Sequence, residues 1–408
     1  MGKRKPKLPY TSSGSSGLSH LIKQANSMPT KIYNLGIGEP DFSIFEEITG
    51  QTIAFLGRST SYKYTPASGT KELKEMICQD WAKKGLTTNP KRIAISHGAK
   101  TLLTACLSAL HEPMAIQSAF CFSPYYPSFK SICTSLGIRF QAISNMPYFK
   151  KNTLNFARLS RAAKKTKEEK SHLKDFFSCL DDILIINSPN NPTGQVIDSF
   201  DLESLANIAI KENLWVVSDE SYCDFVYDYH QHTLISRLKD MGDRTLTIRS
   251  FSKSYNMCGW RIGYVEGPEK VIERINRFLG NCIGCPSTIS QAGAYYALNK
   301  VGSEQIQKNL AYLHEIRSIV ADWLEEKDFF FVMPQGAFYF FVDISNWLEK
   351  HKEVKDCLDF TQECLTQAQV ILAPGLDYGN YPRYIRLAYP LNKRKLIEAI
   401  GNLDNFLD

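Results

Sequence analysis

Residues 250–265 read SFSKSYNMCGWRIGYV, with a lysine among serines and an arginine eight residues further on, between a tryptophan and glycines. Small hydroxyl residues and glycines around a lysine suit a backbone that must come close to a phosphate. Other short segments carry reactive side chains immediately after apolar runs. ILIINS leads into PNNPTG, with Asn191 before Pro192, and LWVVS leads into Asp219, Glu220, Ser221 and Tyr222. RTLTIR leads into Ser250, Phe251, Ser252 and Lys253, and Arg261 follows. Singly these signals are weak, because strand-ending aspartates often cap helices and Asn-Pro-Thr-Gly turns are common loops. Together, in this order, they bring an amine, a carboxylate, a phenol, a carboxamide and a guanidinium to strand ends.

That set matches the needs of pyridoxal 5′-phosphate. The cofactor takes a lysine amine as a Schiff base and a carboxylate beside its pyridine nitrogen. It also needs a hydrogen bond to its ring 3-oxygen, an aromatic ring to stack on and a phosphate cup. The chain resembles the class I/II, fold-type I pyridoxal-phosphate aminotransferases of the aspartate/aromatic branch, over roughly residues 30–400. The resemblance implies that Lys253 in SFSKS forms the Schiff base, Asp219 in SDESY faces the ring nitrogen, and Tyr222 and Asn191 hold the 3-oxygen. It implies further that Ser250 and Arg261 bind the phosphate, with backbone amides of Ala99 and Lys100 from HGAK, and that Tyr126 in SPYYPSF stacks on the ring. An arginine clamps a phosphate bidentately, as a lysine cannot. Arg386 in YIRLAY corresponds to the arginine that forks onto the substrate α-carboxylate, and Gly38 in NLGIGEPDF to the segment that closes over it. Tyr64 in YKYTPASGT corresponds to a residue given to the phosphate of a neighbouring subunit, which implies a homodimer. Lys100 and Tyr10 are further candidates for contact with a substrate side chain.

Residues of this kind must be held by a rigid frame. RIAIS (92–96), ILIINS (183–188), LWVVSD (214–219) and RTLTIRS (244–250) read as strands, with helical spacing after HGAK and in FDLESLANIAIKEN. Strand alternating with helix predicts a mainly parallel sheet flanked by helices, an α/β large domain with its site at the carboxyl ends of the strands. From about residue 300 the pattern changes. FFFVMPQGAFYFFVDIS reads as two strands around a Pro-Gln-Gly turn, followed by a helix, QVILAPG, YIRLAY and a closing helix, a smaller α+β domain. The expected division is a flexible arm over 1–20, an N-terminal segment over 21–45 packing on the small domain, a large cofactor-binding domain over 46–295 and a small domain over 296–408.

The chain has 408 residues, 43% of them hydrophobic, ample for a large core and with no run long enough to span a bilayer. Its net charge of +6 is localised: residues 150–174 carry nine Lys/Arg against two Glu, and the first seven residues carry four more basic groups. The remainder is acidic, so a basic tail and one basic, helical insertion replace the basic face that a nucleic-acid binder would show. The opening MGKRKPKLPY has no apolar stretch of a secretory signal, and eleven scattered cysteines fit reduced thiols, so the expectation is a cytoplasmic protein without metal, nucleic-acid or membrane partners. Cys282 and Cys285 have the spacing of a redox motif but no supporting pair or histidine, and read as buried thiols.

The implied reaction transfers the amino group of an L-amino acid to a 2-oxo acid, with 2-oxoglutarate as the expected acceptor. Two departures from the family pattern stand out. HEPMAIQSAFCFSPYY replaces the usual Gly-Asp pair before the strand that leads to the stacking aromatic, and Cys258 stands where threonine is common. Two other readings stay open: another reaction with the same cofactor (β-lyase, cyclopropane-forming synthase or oxidase), or a non-enzymatic regulator of the same fold.

Overall fold

A computed structural model describes residues 17–114, 116–144 and 182–408. The basic segment 150–174 and Tyr10 lie outside the described residues. The strands are β1 (Tyr33–Asn34), β2 (Ile93–Ser96), β3 (Ser118–Ser123), β4 (Arg139–Ser144), β5 (Asp182–Asn187) and β6 (Leu214–Asp219). They continue as β7 (Thr245–Ser250), β8 (Gly263–Glu266), β9 (Tyr339–Asp343), β10 (Val370–Ile371), β11 (Ala373–Pro374) and β12 (Tyr384–Ala388).

Seven strands form one sheet in the order β2-β8-β7-β6-β5-β3-β4, in which β8 runs antiparallel to both neighbours and the other pairs are parallel. β5 shows why it is buried on both faces. Ile183 and Ile185 join a cluster with Leu102, Leu107 and Leu279 from helices Ala99–Met114 and Glu269–Cys282. Leu184 and Ile186 point the other way, into a cluster with Leu202 and Leu205 of helix Ser199–Lys211. The period-two alternation of a strand thus meets helices on both sides, so the run must be apolar throughout.

β11, β12 and β9 form a separate three-stranded antiparallel sheet, packed with helices Ser303–Glu326, Cys357–Ala368 and Lys393–Leu407 in one core. The amino-terminal part joins this second unit. β1 pairs in parallel with β10, and helix Gly17–Ala25 buries Leu21 and Ala25 against Leu365 and Ile371. That helix begins inside the span expected as a flexible arm, because Asp377 accepts hydrogen bonds from the amides of Gly17 and Leu18 at 2.9 and 3.0 Å. The start of a helix leaves its amide donors without intrahelical partners, and a carboxylate placed there satisfies them.

One local expectation is corrected. The first half of FFFVMPQGAFYFFVDIS is not a strand: only Phe330 forms an isolated bridge, to Asp343, while β9 is a full strand paired with β12 from Tyr339 to Asp343. No helix of the described residues is long and apolar enough to cross a membrane. The ten described cysteines are all free, and Cys282 and Cys285 correct the expectation of burial: at the end of helix Glu269–Cys282, Cys282 is exposed and Cys285 only partly covered.

Candidate active site

The carboxyl ends of the parallel strands converge on a cavity of about 440 Å³. β5 ends at Asn187 and β6 at Asp219, directly paired in register. The Asn187 carboxamide clips the two loops together: its Nδ2 donates to the Asp219 carbonyl at 2.9 Å and its Oδ1 accepts the Asn191 amide at 2.8 Å. β7 ends at Ser250, whose hydroxyl caps the short helix Phe251–Ser254 by accepting the Ser252 amide. That turn of helix aims Lys253 into the cavity. Its Nζ donates to the Gly38 carbonyl at 2.6 Å and lies 3.4 Å from the Cys258 sulfur.

Lys253, Asp219, Tyr222, Asn191, Ser250, Arg261, Ala99, Lys100, Tyr126, Arg386 and Gly38 all line this one cavity. Tyr64, the remaining candidate, does not: it is 97% exposed on the surface of the chain.

One part of the lining brings the start of helix Ala99–Met114 together with Arg261. Helix Ala99–Met114 starts at the cavity with its first amides free of intrahelical partners. Gly98, at φ +84°, precedes it, and a Cβ there would crowd the Arg261 guanidinium. Arg261 itself sits in the left-handed region at φ +55° and donates Nη1 to the Cys258 carbonyl at 2.8 Å. Gly263 is needed for a different reason: a Cβ there would lie 2.7 Å from the Arg249 carbonyl oxygen.

The carboxylate of Asp219 is buried, and burial raises its pKa above the ordinary value. The Ser221 hydroxyl and amide, at 2.5 and 3.1 Å from Oδ1, pull the other way and fix the carboxylate's direction. A cation against the remaining oxygen would favour ionisation further. Behind it, Glu220 is equally buried, yet His232 and Arg249, at 3.1 and 3.2 Å, hold its carboxyl below the ordinary value against the effect of burial.

The second unit closes the cavity from the opposite side. Arg386, in the middle of β12, is buried between the rings of Tyr339 and Tyr378, 4.4 and 4.9 Å from their centroids. Its Nη1 donates to Asn191 Oδ1 at 2.7 Å and its Nη2 to the Gly36 carbonyl, while Nε is a buried donor with no partner among the described residues. A planar donor set with one nitrogen unanswered fits an incoming carboxylate.

The arrangement fits pyridoxal 5′-phosphate. An amine, a buried carboxylate across from it, a phenol, an aromatic ring and an amide-lined cup occur together in a space of the right order for such a ligand. Asn187, Tyr339, Asp377 and Tyr378 also line the site and were not singled out from sequence, and Ser221 was named there without a role. Tyr339 carried one readable cue. It places a hydroxyl inside an otherwise phenylalanine-rich run, and a buried phenol usually has a polar partner.

The profile of the family described as aminotransferase class I and II matches residues 30–403. An aromatic-amino-acid aminotransferase 2 of Thermococcus litoralis is 32% identical over 383 residues, 92% of either chain. An aspartate aminotransferase of Bacillus subtilis is 27% identical over 388 residues, 95% of this chain and 94% of that one. Among solved structures, the aspartate aminotransferase of Thermus thermophilus with maleate superposes with a TM-score of 0.84 at 26% identity, covering 96% of this chain and 97% of the other.

Proposed function

The chain belongs to the class I and II aminotransferases, depends on pyridoxal 5′-phosphate and adopts their fold-type I architecture, and we propose that Lys253 is its catalytic lysine and aspartate its amino donor, with 2-oxoglutarate as acceptor. The observation that carries this reading is the meeting, in one cavity, of Lys253 and Asp219 from one sheet with Arg386 from the other.

When bound, the cofactor supplies an aldehyde that takes up an amine and a pyridine ring that draws electrons from the substrate α-carbon. Asp219, buried and directed by Ser221, would stand beside the ring nitrogen and keep it protonated. Tyr222 and Asn191 would hold the 3-oxygen, and Tyr126 would lie against the ring. Ser250, Arg261 and the amides of Ala99 and Lys100 would hold the phosphate. Arg386 would fix the substrate α-carboxylate and so orient the substrate for loss of its α-proton. Lys253 Nζ would be the base that takes that proton and the acid that returns it. Lys100, the lining cation left without one of these duties, would meet a distal carboxylate, in keeping with relatives named aspartate aminotransferases.

Tyr64 belongs to a second copy of the chain in this reading. An almost fully exposed tyrosine, close in sequence to exposed Tyr62, Leu56 and Ile53, suits a homodimer in which it reaches the neighbour's phosphate. The enzyme is assigned to the cytoplasm.

Borohydride treatment of the cofactor-loaded protein, followed by peptide mapping, is expected to fix the cofactor on Lys253. Lys253→Ala is expected to lose the visible absorbance and to lower turnover by about 10⁴-fold or more. An intact visible band in that variant overturns the assignment. A panel of amino donors against 2-oxoglutarate completes the test: glutamate formation, fastest with aspartate, supports amino transfer, whereas ammonia or a cyclised product would point to a different reaction.

A further inference from the structure

Tyr339 and Tyr222 hold their hydroxyl oxygens 2.7 Å apart, with both side chains buried and the rings edge-on at 5.6 Å. A hydroxyl has one proton to give, so only one member of such a pair can donate to the other. If Tyr222 gives its proton to the ring 3-oxygen, its own oxygen becomes an acceptor, and Tyr339 is the donor that answers it. The surroundings of Tyr339 leave its hydroxyl little other room. The backbone is pinned as the first residue of β9, paired with Ala388. The ring lies under the Arg386 guanidinium, and a Cβ at Gly38 would overlap the hydroxyl.

We propose that Tyr339 is a positioning residue, whose O–H donates to the Tyr222 oxygen and so commits the Tyr222 proton to the 3-oxygen of the cofactor. The proposal rests on the reading that Tyr222 faces that oxygen. Two aligned hydroxyls polarise one another, so the second donor strengthens the first. Burial, and then the neighbouring Tyr339, push the Tyr222 hydroxyl well above the usual phenol range, so Tyr222 carries its proton at neutral pH. Its donor role is therefore limited by direction, and direction is what Tyr339 supplies.

The test is a pH titration of the visible band of the cofactor-loaded protein. A donor to the 3-oxygen stabilises its negative charge most once the neighbouring nitrogen has lost its proton, so removing the donor raises the midpoint. Tyr222→Phe is expected to raise it by about 1–2 units, and Tyr339→Phe by about 0.5 unit. In the double variant the midpoint is expected to match that of Tyr222→Phe alone, because Tyr339 acts only through Tyr222. Tyr339→Phe keeps the ring under Arg386, so the KM for the amino donor stays within about twofold, whereas Tyr339→Leu raises it about three- to fivefold. A shift in Tyr222→Phe with none in Tyr339→Phe overturns the proposal and leaves the Tyr222 reading standing. No shift in either removes that reading and the proposal with it. Additive shifts in the double variant also overturn it. Should Tyr339→Phe fail to hold cofactor, Gly38→Ala displaces the same hydroxyl from the other side. A raised midpoint there supports the relay, and an unmoved one overturns it.

Discussion

The large sheet delivers Asn191, Asp219, Ser250 and Lys253 from the ends of neighbouring strands β5, β6 and β7, whereas Arg386 and Tyr339 come from the small antiparallel sheet. The two walls differ in how they are encoded. In the first, each side chain follows its strand within a few residues, so motif and frame are read together. In the second, Arg386 acquires its surroundings from Gly36, Asn191, Tyr339 and Tyr378, brought together only by folding. The first wall is therefore expected to control cofactor retention, and the second to control donor recognition. Asn191, bonded to Arg386, is the seam between them.

The largest effect that can break this division is at Arg386. Arg386→Lys keeps the charge but loses the fork, and is expected to lower kcat/KM for the amino donor by about 10²–10³-fold. The cofactor dissociation constant should change by less than about threefold, and a parallel loss of cofactor in equilibrium dialysis would erase the distinction. Next in size is Tyr64→Phe. If Tyr64 serves the phosphate of a second copy, this substitution weakens cofactor binding by about tenfold and leaves donor KM nearly unchanged. Unchanged cofactor affinity would confine the first wall to a single chain.

The smallest effect sharpens the comparison from inside the large domain. The Asp219 carboxyl has a folded pKa raised by burial above its ordinary value. Between the unfolded and folded values the folded chain binds more protons, so stability falls as pH rises through that window, and the deficit is complete above it. Without cofactor, Asp219→Asn is therefore expected to be more stable than the parent at neutral pH by about 1 kcal/mol, and flat where the parent declines. With cofactor bound, the order reverses. Denaturant unfolding at acid and neutral pH, with and without pyridoxal phosphate, measures both. A cofactor-free variant less stable than its parent would remove the idea that this carboxylate awaits a cation.

Legibility in the sequence follows the same line. LWVVSD is the strand β6 residue for residue: the apolar run Leu214–Val217 marks a buried parallel strand, and the polar Ser218 and Asp219 that close it mark the end at the site. The residues after it are placed by that end. FFFVM is just as apolar and is not a strand: Phe330 is 44% exposed and pairs with Asp343 as an isolated bridge, so an apolar run alone does not settle pairing. Asn187 escaped notice as the last letter of a strand, since its role depends on Asp219 being its register partner 32 residues away. Tyr339 and Tyr222 are 117 residues apart, and no local pattern announces their contact.

Two cations that line the cavity already have main-chain acceptors: Arg386 Nη2 holds the Gly36 carbonyl and Lys253 Nζ the Gly38 carbonyl. In the proposed reading the α-carboxylate would use the edge formed by Nη2 and Nε, because Nε has no partner among the described residues and Nη2 keeps a second N–H beside the one given to Gly36. A carboxylate arriving there would add its bonds to a guanidinium that Asn191 and the Gly36 carbonyl already hold in place, so recognition would begin from a fork aimed in advance.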